Sequence, residues 1–217
     1  MSTNSKLYNF LFDYTNTPDE HSRLKIEHDI WTTFGKKGAV FVLDMSGFSK
    51  TSQERGIIYY LAMVQRMQII VAPIIRRFHG ELVKFEADNC FAWFRAVEHA
   101  IDAAVGIQIA IEATNETTPE DIDIEFSCGI DYGEFLRIDK GEHLDFFGDP
   151  VNTASKLGED LGESGEILIS QEAMNALANS NRFSFEERRY SISDIALHAY
   201  CLDGSEKGAD NTFVRAR

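Results

Sequence analysis

An α+β fold is what this 217-residue sequence predicts, and three observations carry the expectation. Short apolar runs of strand character alternate with two long helical stripes in the order β-α-β-β-α-β. Glycine and polar turn residues bound each run. No repeat, low-complexity tract or linker divides residues 38 to 203. That order is ferredoxin-like: a βαββαβ sandwich extended by further αβ elements, with an antiparallel sheet and helices on one face.

Taken in order, residues 1 to about 18 read as poorly structured. Residues 19 to 34 carry Leu24, Ile26, Ile30, Trp31 and Phe34 at loosely helical spacing, so residues 1–37 form an extension with a docking or signalling helix. The first strand is the run Ala39 to Leu43, which ends on Asp44 and turns through Gly47. Thr51 and Glu54 match a capping box ahead of a stripe of Ile57, Leu61, Val64, Met67, Val71, Ile74 and Phe78. Pro73 is expected to kink this helix and Gly80 to stop it. A hairpin follows over 81–86 and 89–94, then a helix over about 96–114. The stretch IDIEFSCGIDYGEFLRI reads as a strand pair broken at Gly133. In LDFFGDPVNTASKL, Asp149 fits an N-cap with Pro150 at the first helical position. A strand (EILIS), a short helix (QEAMNAL) and two closing strands (FSFEERRY and ALHAYCL) precede the tail, 204–217.

Composition narrows the function. A hydrophobic share of 44% supports a real core. The formal charge of −14 argues against a nucleic-acid partner, which would need clustered Lys and Arg against phosphates. An anionic nucleotide remains compatible where metal ions bring positive charge. Cys90, Cys128 and Cys201 are scattered and form no CxxC, so neither a disulfide framework nor a zinc site is expected, and the usage fits a reducing cytosol. No uninterrupted apolar run reaches the about 18 residues of a spanning helix, so the reading is cytoplasmic with no membrane span.

The site candidates begin with two acids. A buried strand delivers Asp44 to its tip beside a glycine turn, and the hairpin of GELVKFEADNCFAWF carries Asp88. Two carboxylates on neighbouring strand ends suit a pair of hard divalent cations.

Five segments, VLDMSGFS, VKFEAD, CGIDYGE, LDFFGDPVNTASKL and ALHAYCL, resemble in order and spacing the class III nucleotidyl cyclases, the adenylyl and guanylyl cyclase family. The resemblance covers residues 38–203 and implies a cyclase catalytic domain acting as a head-to-tail homodimer, each site completed across the interface. It implies that Asp44 and Asp88, with the Met45 carbonyl, bind two Mg²⁺ or Mn²⁺ ions. The backbone of Met45, Ser46, Gly47 and Phe48 would contact the triphosphate. Lys84 stands where the family's lysine recognises adenine and Asp145 where its partner in base recognition stands, which implies ATP as substrate. Asn152 matches the ribose-orienting asparagine, and Lys156 occupies the position of the transition-state arginine.

Two departures accompany the match. The family's KxxGD has Ala87 for its glycine, and Lys156 lacks the bidentate fork of arginine. The family's γ-phosphate lysine has no clear counterpart, leaving Arg188 and Arg189 as candidates. Two alternatives stay open: cyclisation of GTP or a pyrimidine triphosphate, and a non-catalytic dimer partner or nucleotide-sensing module. A regulatory partner is expected to dock through residues 1–37.

Overall fold

The computed structural model describes residues 3–46, 55–119, 123–139, 144–192 and 195–203. Gly47, Phe48, the Thr51 and Glu54 capping box and the 204–217 tail lie outside the described residues. Eight strands form one sheet: β1 (Gly35–Met45), β2 (Glu81–Glu86), β3 (Asn89–Phe94), β4 (Phe126–Asp139), β5 (Leu144–Phe147), β6 (Ile167–Ser170), β7 (Phe185–Ile192) and β8 (Ile195–Leu202). Their order is β2-β3-β1-β4-β6-β8-β7, with β5 paired to β4.

The helices are α1 (Thr3–Asn16), α2 (Glu20–Phe34), α3 (Ile57–Arg77), α4 (Val97–Asn115), α5 (Asp149–Ser155) and α6 (Gln171–Ala176), with a π-helical turn over Lys156–Leu161. On one face of the sheet, α3, α4 and α6 pack on Phe41, Leu43, Phe94, Cys128 and Ile130. Val40 and Val42 of β1 point to the other face, where they meet Ala154 of α5. Helices therefore cover both faces rather than one, which is why β1 reads as an unbroken apolar run. The sheet is antiparallel except where β6 lies parallel to β4, because the chain between them crosses over through α5.

Several local expectations are corrected. Residues 3–16 are helical rather than poorly structured, because Leu7 and Phe10 pack with Ile26, Ile30 and Phe34 of α2 against Ile138 of β4. The inward face of α3 is Tyr60, Met63, Val64, Met67, Val71 and Ile75, and Ile57 and Leu61 stand exposed. By length and composition α3 is apolar enough to cross a membrane, and its buried face here belongs to the core. It continues through Pro73 as one helix and ends at Arg77. The stop is His79 at φ 64, not Gly80; the Gly80 N–H then bonds the Ile75 carbonyl at 2.9 Å, a Schellman closure.

β4 is one strand of 14 residues that passes unbroken through Gly133. Glycine is required there because a Cβ would lie 2.6 Å from Cγ of Pro150, where α5 packs on the strand. The N-cap of α5 is Gly148, one residue before the expected Asp149, which instead begins the helix.

Candidate active site

Asp44 emerges at the end of β1 in register with Asn89 on β3 and Ser127 on β4. The β2–β3 turn, Ala87-Asp88, comes to the same end of the sheet, and the Met45 N–H donates to the Asp88 carbonyl at 3.4 Å. Ala87, at the position where the family has glycine, holds φ 53, the left-handed conformation that favours glycine and costs an alanine sterically. Met45 is buried, and the Ser46 N–H donates to the Glu125 carbonyl at 2.9 Å.

Acidic side chains crowd this corner. Burial, then the charges of Asp88, Glu159 and Asp160, push the Asp44 carboxyl up to about 7. Burial, then Asp88, pushes the phenol of Tyr60, in the first turn of α3, up to about 12. Burial also raises Glu159, opposed by a hydrogen bond from Ser155 and reinforced by Asp160, Asp88 and Glu86. Carboxylates that oppose the ionisation of Asp44 and Glu159 would suit a hard divalent cation such as Mg²⁺ or Mn²⁺, whose charge would relieve the crowding. Among the described residues no three His, Cys, Asp or Glu side chains form a ready-made cage, so further ligands would have to come from substrate or water.

Lys84 reaches the opposite face of the sheet through a bulge. The β2–β3 register shifts between Leu82 and Lys84, so Lys84 pairs with Phe91 and leaves the side, under α3 and α4, that Leu82 and Phe85 occupy. Its ammonium lies 3.4 Å from Asp145 on β5, 2.7 Å from Glu86 and 5.1 Å from the centroid of the Phe91 ring. Burial pulls this ammonium down, but Glu86 and Asp145 outweigh it and its pKa stands raised. Phe146 packs edge-on against Phe91 at 6.2 Å, fixing β5 over β3. The Phe91 ring and the paired opposite charges thus lie together on one face of the sheet.

Asn152 and Lys156 follow on α5 and the π-turn, both exposed, and the Lys156 N–H caps back to the Asn152 carbonyl. The π-turn is clamped to the sheet. Ser127 Oγ donates to the Gly158 carbonyl at 2.6 Å, and a Cβ on Gly158 would lie 2.9 Å from the Val42 carbonyl oxygen. Ser127 is also the register partner of Asp44, so the segment that carries Lys156 rests on the strand paired with the one that carries Asp44.

Sequence reasoning missed Asp131. Only 5% exposed, it accepts hydrogen bonds from Ser170 Oγ and the Tyr132 N–H, while Ser170 Oγ caps α6 by accepting from Ala173 at 2.9 Å. Burial pushes its carboxyl up to about 6 against hydrogen bonds that include one from Thr153 of α5. The only signal was an acid inside the otherwise apolar CGIDYG, legible once β4 is known to be covered on both faces. Arg188 pairs with Glu186 at 3.1 Å and Glu166 at 3.7 Å, and Arg189 with Glu187 at 2.9 Å, on the edge strand β7. Within one chain the structure thus gathers Asp44, Met45 and Asp88 at one corner and pairs Lys84 with Asp145, and it does not bring Arg188 or Arg189 to that corner.

Known proteins share this fold. Among solved structures, the guanylyl cyclase Cya2 superposes with a TM-score of 0.69 at 18% identity, covering 80% of this chain and 94% of that one. The adenylyl cyclase CyaB from P. aeruginosa gives 0.67 at 20% identity over 81% and 98%. The guanylate cyclase domain of RhGC from Catenaria anguillulae, in complex with GTP, gives 0.67 at 19% identity over 79% and 98%. A curated protein of Rhizobium meliloti (strain 1021), named "Putative adenylate cyclase 3", is 26% identical over 132 residues, which is 61% of this chain and 22% of that protein. Residues 35–204 match the family described as adenylate and guanylate cyclase catalytic domain, and the chain belongs to that family.

Proposed function

We propose that this chain is an adenylyl cyclase that converts ATP to 3′,5′-cyclic AMP and pyrophosphate. The observation that carries the choice of base is the pairing of Lys84 with Asp145 at 3.4 Å over the Phe91 ring. A cation beside a carboxylate complements adenine, whose edge offers an acceptor nitrogen next to an amino donor. In the reaction the substrate's 3′-hydroxyl attacks its own α-phosphorus, the bond to the bridging oxygen breaks, and pyrophosphate leaves with the electron pair. Asp44 and Asp88 would hold two Mg²⁺ or Mn²⁺ ions, which when bound acidify the hydroxyl and neutralise phosphate charge. Asn152 orients the ribose, and Lys156 sets a positive charge against the oxygens of the α-phosphate as they gain negative charge.

The working unit in this reading is a head-to-tail homodimer in which Asp44 and Asp88 of one protomer face Lys84, Asp145, Asn152 and Lys156 of its partner. Ile57, Ile58 and Leu61 support it, since they stand exposed in the turn of α3 that places Tyr60 near Asp88. Incubating the purified chain with each of the four nucleoside triphosphates and Mn²⁺ tests the proposal. Cyclic AMP from ATP in large excess over the other products is expected. Cyclic GMP as the main product would reassign the base, and no product from any triphosphate would favour a nucleotide-sensing role.

A further inference from the structure

Glu86 stands closer to the base-reading lysine than the base-reading aspartate does. Lys84 Nζ lies 2.7 Å from Glu86 Oε2 and 3.4 Å from Asp145 Oδ1. After the bulge, Lys84 and Glu86 pair with Phe91 and Asn89, alternate residues of β3, which puts both on one face. The two carboxylates differ in freedom. Asp145 has a side chain 21% exposed, and its Oδ1 also accepts the Phe146 N–H at 3.0 Å. Glu86, at the end of β2, is 65% exposed. An incoming base that takes a hydrogen bond from Lys84 competes with both, and Glu86 is the partner that solvent can receive.

We infer that Glu86 is a positioning residue for base selection, holding the Lys84 ammonium until a base competes for it and releasing it when adenine binds. The inference rests on the reading of Lys84 and Asp145 given above. With Glu86 engaged, the pocket shows a neutralised cation flanked by two carboxylates, which suits the donor-rich edge of guanine. With Glu86 turned away, Lys84 offers its donors to an acceptor nitrogen beside Asp145, which suits adenine. Glu86 therefore weakens ATP binding and narrows the preference for ATP over GTP. An exposed ion pair limits the effect to about two- to fivefold.

Calorimetry on the full chain with Mn²⁺ and the non-cyclisable α,β-methylene analogues of ATP and GTP reads this without turnover. Glu86→Gln should tighten the ATP analogue about two- to fivefold and the GTP analogue less, and in turnover the gain should fall on KM rather than kcat. Glu86→Asp, which keeps the charge, should stay nearer the parent. In a Lys84→Met background, Glu86→Gln should change nothing. If Lys84→Met leaves the affinity for both analogues unaltered, or neither analogue binds the parent, the base reading itself fails and takes the gate with it. If Lys84→Met shifts the ratio but Glu86→Gln does not tighten ATP, the gate alone is wrong. A gain from Glu86→Gln that survives in the Lys84→Met background also overturns the gate, because it reports only the removal of a charge near the triphosphate.

Discussion

Replacing Asp131 by Asn should make the stability difference between variant and parent depend on pH. The carboxyl lies beneath α5 and next to the cap of α6, where burial raises its pKa from the unfolded value of 3.8 to about 6. The folded chain therefore keeps a proton that the unfolded chain has released, so this group's contribution is full below 3.8 and is lost as pH rises through 6. Two pKa units set an upper limit of about 3 kcal/mol across the whole window. The formal charge of −14 restricts a clean measurement to the alkaline side of the isoelectric point. Between pH ~5.5 and ~7.5 the same linkage gives about 0.8 kcal/mol. Asn does not titrate. Urea unfolding of both proteins, followed by tryptophan fluorescence at the two pH values, should show the variant gaining on the parent by about that amount. A stability difference that stays constant with pH would refute the assignment of a raised pKa to Asp131.

Four further outcomes are expected. Asp44→Asn or Asp88→Asn should abolish turnover with saturating Mn²⁺ while leaving circular dichroism intact, and near-parental turnover by either would remove that residue from the metal site. Ala87→Gly should stabilise the chain by about 0.5 to 1 kcal/mol, since relief of a left-handed alanine outweighs the added freedom of the unfolded glycine; denaturant midpoints check this, and destabilisation would contradict it. Lys156→Ala should lower kcat by about 10² to 10³ with little change in KM, by loss of one positioned donor. Lys156→Arg should retain or raise kcat, and a Lys156→Ala variant as fast as the parent would make Lys156 an ordinary surface lysine.

How far the sequence revealed this molecule varies from element to element. β1 was legible because both of its faces are buried, which forces the continuous run Ala39 to Leu43 ahead of the one acid, Asp44. The β2–β3 hairpin was legible from its alternation and polar turn. α1 was not, because its inward Leu7 and Phe10 sit among the exposed Tyr8, Leu11 and Phe12, and the partner that orders it, Ile138, lies far along the chain. Val64, Met67 and Val71 of the expected α3 stripe do face inward, but counting apolar residues does not separate the exposed Ile57 and Leu61 from the buried Tyr60 and Met63.

The site divides in the same way. Asp44 and Asp88 were readable at strand ends, and the structure joins them through the Met45 to Asp88 backbone bond. The pairing of Lys84 with Asp145 followed from the family resemblance and not from any local pattern, because it depends on a bulge and on a strand far along the chain. The π-turn at Lys156 was hidden because its cause is tertiary: Ser127 and the close approach of Gly158 to β1.

Subunit mixing tests the central claim most directly, that Asp44 and Asn152 serve one cyclisation site built from two protomers. Asp44→Asn and Asn152→Ala are each expected to be inactive alone. Mixed in equal amounts and allowed to exchange subunits, half of the dimers become heterodimers, each with one fully intact site and one carrying both defects. The account predicts recovery of about a quarter of parental cyclic AMP formation, provided the two sites act independently. A mixture as inactive as its components would contradict it.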